Sequence, residues 1–131
     1  QVMSAKTAKQ VRHMLELAVS DEGTGRNARI PMYHVAGKTG TSRKAEGKGY
    51  SKLYNSVFAG MAPASSPRLA MVVVVNEPGA GKYYGGTVAA PVFASVMSGA
   101  LRLLDVAPDD ISEDRLLMAT HVNLASQESD R

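Results

Sequence analysis

The chain has 131 residues, 44% hydrophobic and 21% charged, with a net charge of +3; this is enough for one globular domain, and no apolar stretch approaches the ~20 residues that span a bilayer. It has no cysteine and only three scattered histidines, His13, His34 and His121, which excludes a disulfide scaffold, a thiol nucleophile and a metal site of ordinary ligand spacing. The charge is uneven, since residues 1–52 hold ten Lys/Arg against four Asp/Glu and residues 105–131 hold two against seven; with only Tyr33 and Tyr50 as aromatic residues among the basic ones, nucleic acid is not indicated, and a carboxylate or other small anion suits the basic end equally well.

In chain order, Ser4 is placed to cap a helix whose apolar positions are Ala5, Ala8, Val11, Leu15 and Ala18. Gly23 or Gly25 is expected to end it with a positive φ. A basic loop, 26–29, leads to a first strand over 34–42, followed by a polar, glycine-rich turn over 44–52. Strands are predicted over 54–62 and 69–75, and short connections make the three an antiparallel meander. The run from Leu69 to Val75 is apolar throughout, so it is expected in the middle of a sheet with both faces covered. A loop from Asn76 to Gly86 precedes a helix predicted to start near Pro91, with Val92, Val96, Ala100, Leu103 and Leu104 as its apolar stripe. The expected class is α+β: three antiparallel strands between an N-terminal and a C-terminal helix. Beyond Pro108 the chain turns acidic and loses periodicity, and 109–131 is expected to be a mobile tail with a short helical stretch near 115–124.

Val35-Ala36-Gly37-Lys38-Thr39-Gly40-Thr41 is the most informative segment. As a phosphate-binding P-loop it fails, because Met32 stands where the first glycine is required and the motif runs into a hairpin rather than a helix. Gly81-Lys82 fails as well, being followed by Tyr83. As a bare triplet, Lys-Thr-Gly could merely shape an edge strand. Five more blocks accompany it in order: Gly23-Thr24-Gly25 upstream, then Phe58-Ala59-Gly60-Met61-Ala62-Pro63, Val72-Val73-Val74-Val75-Asn76-Glu77-Pro78, Tyr83-Tyr84-Gly85-Gly86 and Ala90-Pro91-Val92-Phe93. Across residues 1–108 this series is similar to the end of class B penicillin-binding proteins, especially the septal transpeptidase of the Gram-negative division machinery.

The resemblance implies a peptidoglycan D,D-transpeptidase that works through a serine acyl-enzyme, needs no cofactor and is a target of β-lactams. It implies a parent anchored in the bacterial inner membrane by an N-terminal helix, facing the periplasm and meeting other division proteins. Residues 1–108 would then be the C-terminal portion of the transpeptidase domain. Lys38 would be the cation facing the cleft, and Thr41 would lend a backbone N–H to the oxyanion hole. Thr39, Gly40, Ser42, Arg43, Tyr83, Tyr84 and Gly86 would border the bound stem peptide ending in D-Ala-D-Ala. Gly40 would be glycine so that the strand clears the nucleophile's helix. Arg43 reads either as a second cation near the ligand or as an exposed hairpin residue, and Tyr83 and Tyr84 as an aromatic wall or as ordinary packing. Strict alternation sets Thr39 and Thr41 on the face opposite Lys38 and Gly40, in tension with one shared site. The departure from the family is that the sequence holds neither Ser-x-x-Lys nor Ser-x-Asn. The nucleophile, its lysine base, further strands and a helical layer are therefore expected from elsewhere in the parent. A β-lactamase, a D,D-carboxypeptidase or a β-lactam sensor of the same fold is the alternative.

Overall fold

The computed structural model describes residues 1–79 and 81–111. Within them the order is α1 (Ala5–Leu17), a 3-10 turn (Arg26–Ala28), β1 (Ala36–Glu46), β2 (Gly49–Ala62), β3 (Leu69–Asn76) and α2 (Gly85–Leu103). The strands form one antiparallel sheet in the order β1-β2-β3, the expected meander between two helices. Ser4 caps α1, its hydroxyl accepting from the Thr7 N–H at 3.1 Å. Gly23 and Gly25 then fold back over the helix end. Neither has a positive φ; both are glycine because a Cβ at either would crowd the Ala18 carbonyl oxygen, which accepts from the Gly25 N–H at 2.9 Å.

The core lies between one face of the sheet and α2, around Phe58, Phe93, Met97 and Leu101, all fully or almost fully buried. The rings of Phe58 and Phe93 meet at 4.7 Å in a tilted pair. The ring of Phe58 fills the space where side chains would stand at Gly37 and Gly60, directly opposite each other on β1 and β2.

Several elements depart from expectation. The hairpin is longer, with β1 running to Glu46 and β2 starting at Gly49, because it turns tightly at Gly47 (φ 57°). Polar on both faces, this stretch carries no alternation to mark it as strand. Among the described residues β3 lies at the edge of the sheet with one face covered, Val72 and Val74 being 63% and 60% exposed, and the second neighbour and cover expected for it are not within this chain. The central strand is β2. Helix α2 starts six residues earlier than Pro91, which sits inside it. It buries Ala89, Phe93, Met97 and Leu101 and leaves Val92, Val96, Leu103 and Leu104 outward. It is apolar all round, so residue spacing cannot fix which stripe faces in. At 19 residues and mean hydropathy 1.3 it is long and apolar enough, by length and composition alone, to cross a membrane, but here it packs on the sheet.

Past α2 the chain straps back to the start of β1. Tyr33 donates its hydroxyl to the Val106 carbonyl at 2.6 Å. The Asp109 carboxylate accepts from the His34 N–H at 2.7 Å and from the N–H and hydroxyl of Ser65 at 3.1 and 2.7 Å. Arg12 of α1 donates to the Ser65 carbonyl at 3.0 Å. One carboxylate thus ties the entry of β1 to the β2–β3 turn, whose Ala62–Pro63 peptide is cis. The helical stretch expected near 115–124 lies outside the described residues.

Gly37→Ala would place a Cβ 2.5 Å from Phe58 Cζ and 2.8 Å from the Ala59 oxygen. It is expected to cost about 1–3 kcal/mol through overpacking, lowering the melting temperature by several degrees. Gly49→Ala meets nothing within 4 Å and should leave the melting temperature nearly unchanged in the same thermal scan.

Candidate functional site

Strand β1 is an edge strand, so its free side is open to a ligand. The register pairs Lys38 with Ala59, Thr39 with Phe58, Gly40 with Val57 and Thr41 with Ser56. Thr39 and Thr41 therefore share the α2 face with Phe58 and Ser56, while Lys38, Gly40 and Ser42 point to the other face beside Val57, Ala59 and Val72. The alternation expected from sequence holds, and the side chain of Lys38 resolves the tension it raised. Its stem leaves the open face, but its ammonium reaches the Thr39 carbonyl at 3.3 Å and the Thr39 hydroxyl at 3.4 Å. Cation and hydroxyl meet at the strand although their Cβ atoms are on opposite faces. Among the described residues no carboxylate lies within ion-pair distance of Lys38.

On the α2 face a polar cavity of about 320 Å³ is lined by Thr24, Arg26, Thr39, Thr41, Tyr84 and Gly86 among others. Two hydroxyls meet there, Thr24 Oγ1 and Thr39 Oγ1 at 3.0 Å. The first residues of α2 form its far wall. Tyr84, the N-cap, has no side-chain cap bond; Thr41 supplies the acceptor instead, its hydroxyl oxygen receiving the Gly85 N–H at 3.0 Å. Asn27 donates to the Gly86 carbonyl at 2.8 Å. Glycines are required at this start: a Cβ at Gly85 would overlap Val57 and Gly40 backbone oxygens, and one at Gly86 the Thr24 oxygen. The helix's positive end and Arg26 both favour an anion here. At Gly40 a Cβ would meet only Val57 Cβ at 3.5 Å among the described residues, and the nucleophile's helix that this glycine is expected to clear is not part of this chain. Ser42, exposed and opposite Asn55, is turned away from this cavity.

The loop before α2 is braced from β2. Tyr83 stacks on Tyr54 at 4.1 Å and 14°, and Tyr84 tilts against Tyr83 at 4.6 Å. Arg43 donates Nε–H to the Tyr54 hydroxyl at 3.3 Å, with its guanidinium 5.7 Å from that ring. Hydrogen bonding to Tyr54 raises the Arg43 pKa, and hydrogen bonding with Tyr84 raises that of the Tyr83 phenol, so the first stays charged and the second neutral at physiological pH. The buried hydroxyl of Ser56 donates to the Tyr83 carbonyl, and Lys44 pairs with Glu77 at the loop's start. Tyr54, Ser56 and Asn27 were not singled out by sequence, and Thr24 was noted only within the Gly23-Thr24-Gly25 block, without a role. Tyr54 was within reach, because extending the pairing of Thr41 with Ser56 by two residues sets it opposite Arg43.

Residues 1–98 match the family described as the penicillin binding protein transpeptidase domain. The chain belongs to this family. It is 46% identical over 114 residues, 86% of its length, to the probable peptidoglycan D,D-transpeptidase PbpC of Pseudomonas aeruginosa. It is also 46% identical over 112 residues to the peptidoglycan D,D-transpeptidase FtsI of Escherichia coli K12. The match spans 20% and 19% of those relatives' own lengths. Among solved structures, the apo transpeptidase domain of Burkholderia pseudomallei penicillin-binding protein 3 is similar at TM-score 0.76 and 47% identity, over 82% of this chain and 33% of that one.

The two glycines that meet at the site make opposite demands. Gly85→Ala should lower the melting temperature by several degrees, because its Cβ must push α2 off β1. Gly40→Ala, with only a 3.5 Å contact to meet, should change it by a degree or two at most. Calorimetry on both variants checks the pair, and equal losses would contradict the packing described.

Proposed function

We propose that this chain is part of a peptidoglycan D,D-transpeptidase, with residues 1–108 forming the C-terminal portion of the catalytic domain and 109–131 a tail whose first residue, Asp109, is anchored to His34 and Ser65. The observation that carries the reading is the arrangement at β1. An edge strand offers an ammonium without a carboxylate partner among the described residues, and that ammonium turns onto Thr39 beside the hydroxyl-lined cavity at the start of α2. Family membership and kinship to proteins named D,D-transpeptidases support it.

In this reading a serine from another part of the parent attacks the carbonyl carbon between the two D-alanines of a stem peptide. Its proton passes by way of a basic side chain to the departing amine, the C–N bond breaks and D-alanine leaves. An amine of a second stem peptide then displaces the serine oxygen from the acyl carbon, closing the cross-link. Lys38 supplies a fixed positive charge that draws the substrate's terminal carboxylate to the cleft. Thr39 and Thr41 offer that carboxylate their hydroxyl protons; the acceptor side of Thr41 is already used by the Gly85 N–H, which leaves its own proton to donate. The backbone N–H of Thr41 serves the oxyanion. Tyr83, Tyr84 and Arg43, braced by Tyr54, line the approach of the peptide, and Gly86 brings the helix start close. The open sheet face around Lys38 receives the remaining part of the domain. β-Lactams enter as acylating substrate mimics, and the parent sits at the periplasmic side of the inner membrane among other division proteins.

In the full-length parent, Lys38→Ala should slow acylation by a fluorescent penicillin roughly a hundred- to ten-thousandfold, with little change in melting temperature because the side chain is exposed. A rate within a few-fold of the parent's would remove Lys38 from the mechanism. Residues 1–131 alone should form no covalent adduct, since no serine in them has lysine three positions on; intact-protein mass spectrometry reads this directly.

A further inference from the structure

The Gly23–Gly25 loop reaches the same cavity from the side opposite α2, and only Thr24 in it carries a functional group at the strand. Its hydroxyl lies 3.0 Å from that of Thr39. Packing at both ends sets where it stands. A Cβ at Gly25 would come within 3.1 Å of the Phe58 ring, so the loop rests on the core there. The carbonyl of Thr24 abuts Gly86, where no side chain would fit. A β-branched residue on a backbone held at both ends has few χ1 choices.

The proton count at Thr39 gives this contact a direction. A hydroxyl has one proton to give and two lone pairs to receive. The Lys38 ammonium only donates, so at 3.4 Å it occupies one lone pair of Thr39 Oγ1. If Thr24 donates to the second, the proton of Thr39 is left over and free for the cavity. If Thr39 donates to Thr24 instead, it has nothing to offer a ligand there. A carboxylate only accepts, so it selects the first arrangement.

We propose that Thr24 is a positioning residue for the ligand carboxylate: it donates to Thr39 and so turns the Thr39 proton toward the bound anion. This rests on the reading of Thr39 as a carboxylate donor. Both hydroxyls belong to residues that are not buried, so the bond adds little to folding. Its effect belongs in ligand recognition.

The experiment uses the full-length parent with Thr24→Val, Thr24→Ser and Thr39→Val, and follows acylation by a fluorescent penicillin and by the methyl ester of the same compound. Thr24→Val should lower acylation by the free acid about three- to tenfold, the scale of one modest hydrogen bond. It should leave the ester's rate and the melting temperature unchanged, and Thr24→Ser should restore the acid's rate. An unchanged rate for Thr24→Val, or equal losses for acid and ester, would overturn the proposal. Thr39→Val separates the two levels. If it too fails to distinguish acid from ester, the carboxylate reading of Thr39 falls and Thr24 with it. If it discriminates while Thr24→Val does not, Thr24 alone is refuted.

Discussion

The ring of Phe58 is the constraint on which the site's geometry depends. It is fully buried and lies where side chains at Gly25, Gly37 and Gly60 would otherwise stand. Each of these glycines brings a different backbone into contact with it: the loop after α1, the edge strand β1 and the strand's own neighbour on β2. The Gly25 contact holds Thr24 over Thr39, and the Gly37 contact holds β1 one residue before Lys38. Phe93 closes the other side at 4.7 Å and so fixes α2, whose first turn carries Gly85 and Gly86. A large aromatic ring with glycines around it is a rigid way to bring three backbones together, because close-packed interiors do not deform smoothly.

Given that frame, β1 sorts its chemistry by alternation. Hydroxyls face the cavity and the cation faces the open side, yet a lysine stem is long enough to return its charge to the strand. This separates two demands. The threonines need fixed positions, and they have them through Thr24 and the Gly85 N–H. The ammonium needs reach more than rigidity, since a point charge acts over distance. A guanidinium at position 38 would replace that compact point charge with a planar fork that pairs bidentately or stacks on aromatic faces. Arg43 does occupy such a setting, braced by the face and hydroxyl of Tyr54 at the rim.

What sequence could show follows the same physics. Local signals were legible: Ser4 as a cap, three strands in order and the edge strand bearing Lys38. Alternation alone placed Thr39 and Thr41 opposite Lys38. Non-local demands were harder to see. Gly85 and Gly86 read as loop because glycine usually ends helices, whereas here it starts one, its identity set by Gly40, Val57 and Thr24 across the fold. The valines of α2 drew attention as a core stripe, while the helix buries Phe93 and Met97 instead. The composition of β3 suits a mid-sheet position with both faces covered, and this chain by itself places nothing over Val72 and Val74. Thr24 and Asn27 act through tertiary contacts between residues 15 and 59 positions apart; the Gly23-Thr24-Gly25 block marks the first only as part of a series, and no local pattern gives either a role.

The open face makes one last connection between packing and charge. Val72 stands exposed there beside Ala59, which is paired to Lys38, and Val74 stands exposed beside Val57, which is paired to Gly40. Full burial of a valine is worth about 1.5–3 kcal/mol, so covering this face is favourable for its apolar residues. For Lys38 the sign is reversed, because taking a charged ammonium out of water costs free energy unless it gains a partner. Two carbonyl and hydroxyl contacts at 3.3 and 3.4 Å only partly replace the lost hydration. A covered Lys38 therefore needs an anion more than an exposed one does, and the same low dielectric that raises its cost strengthens its attraction to a carboxylate. In the transpeptidase reading, the packing that completes the sheet and the charge that captures the substrate are thus linked: the apolar burial offsets the desolvation that sharpens the cation's preference for its ligand.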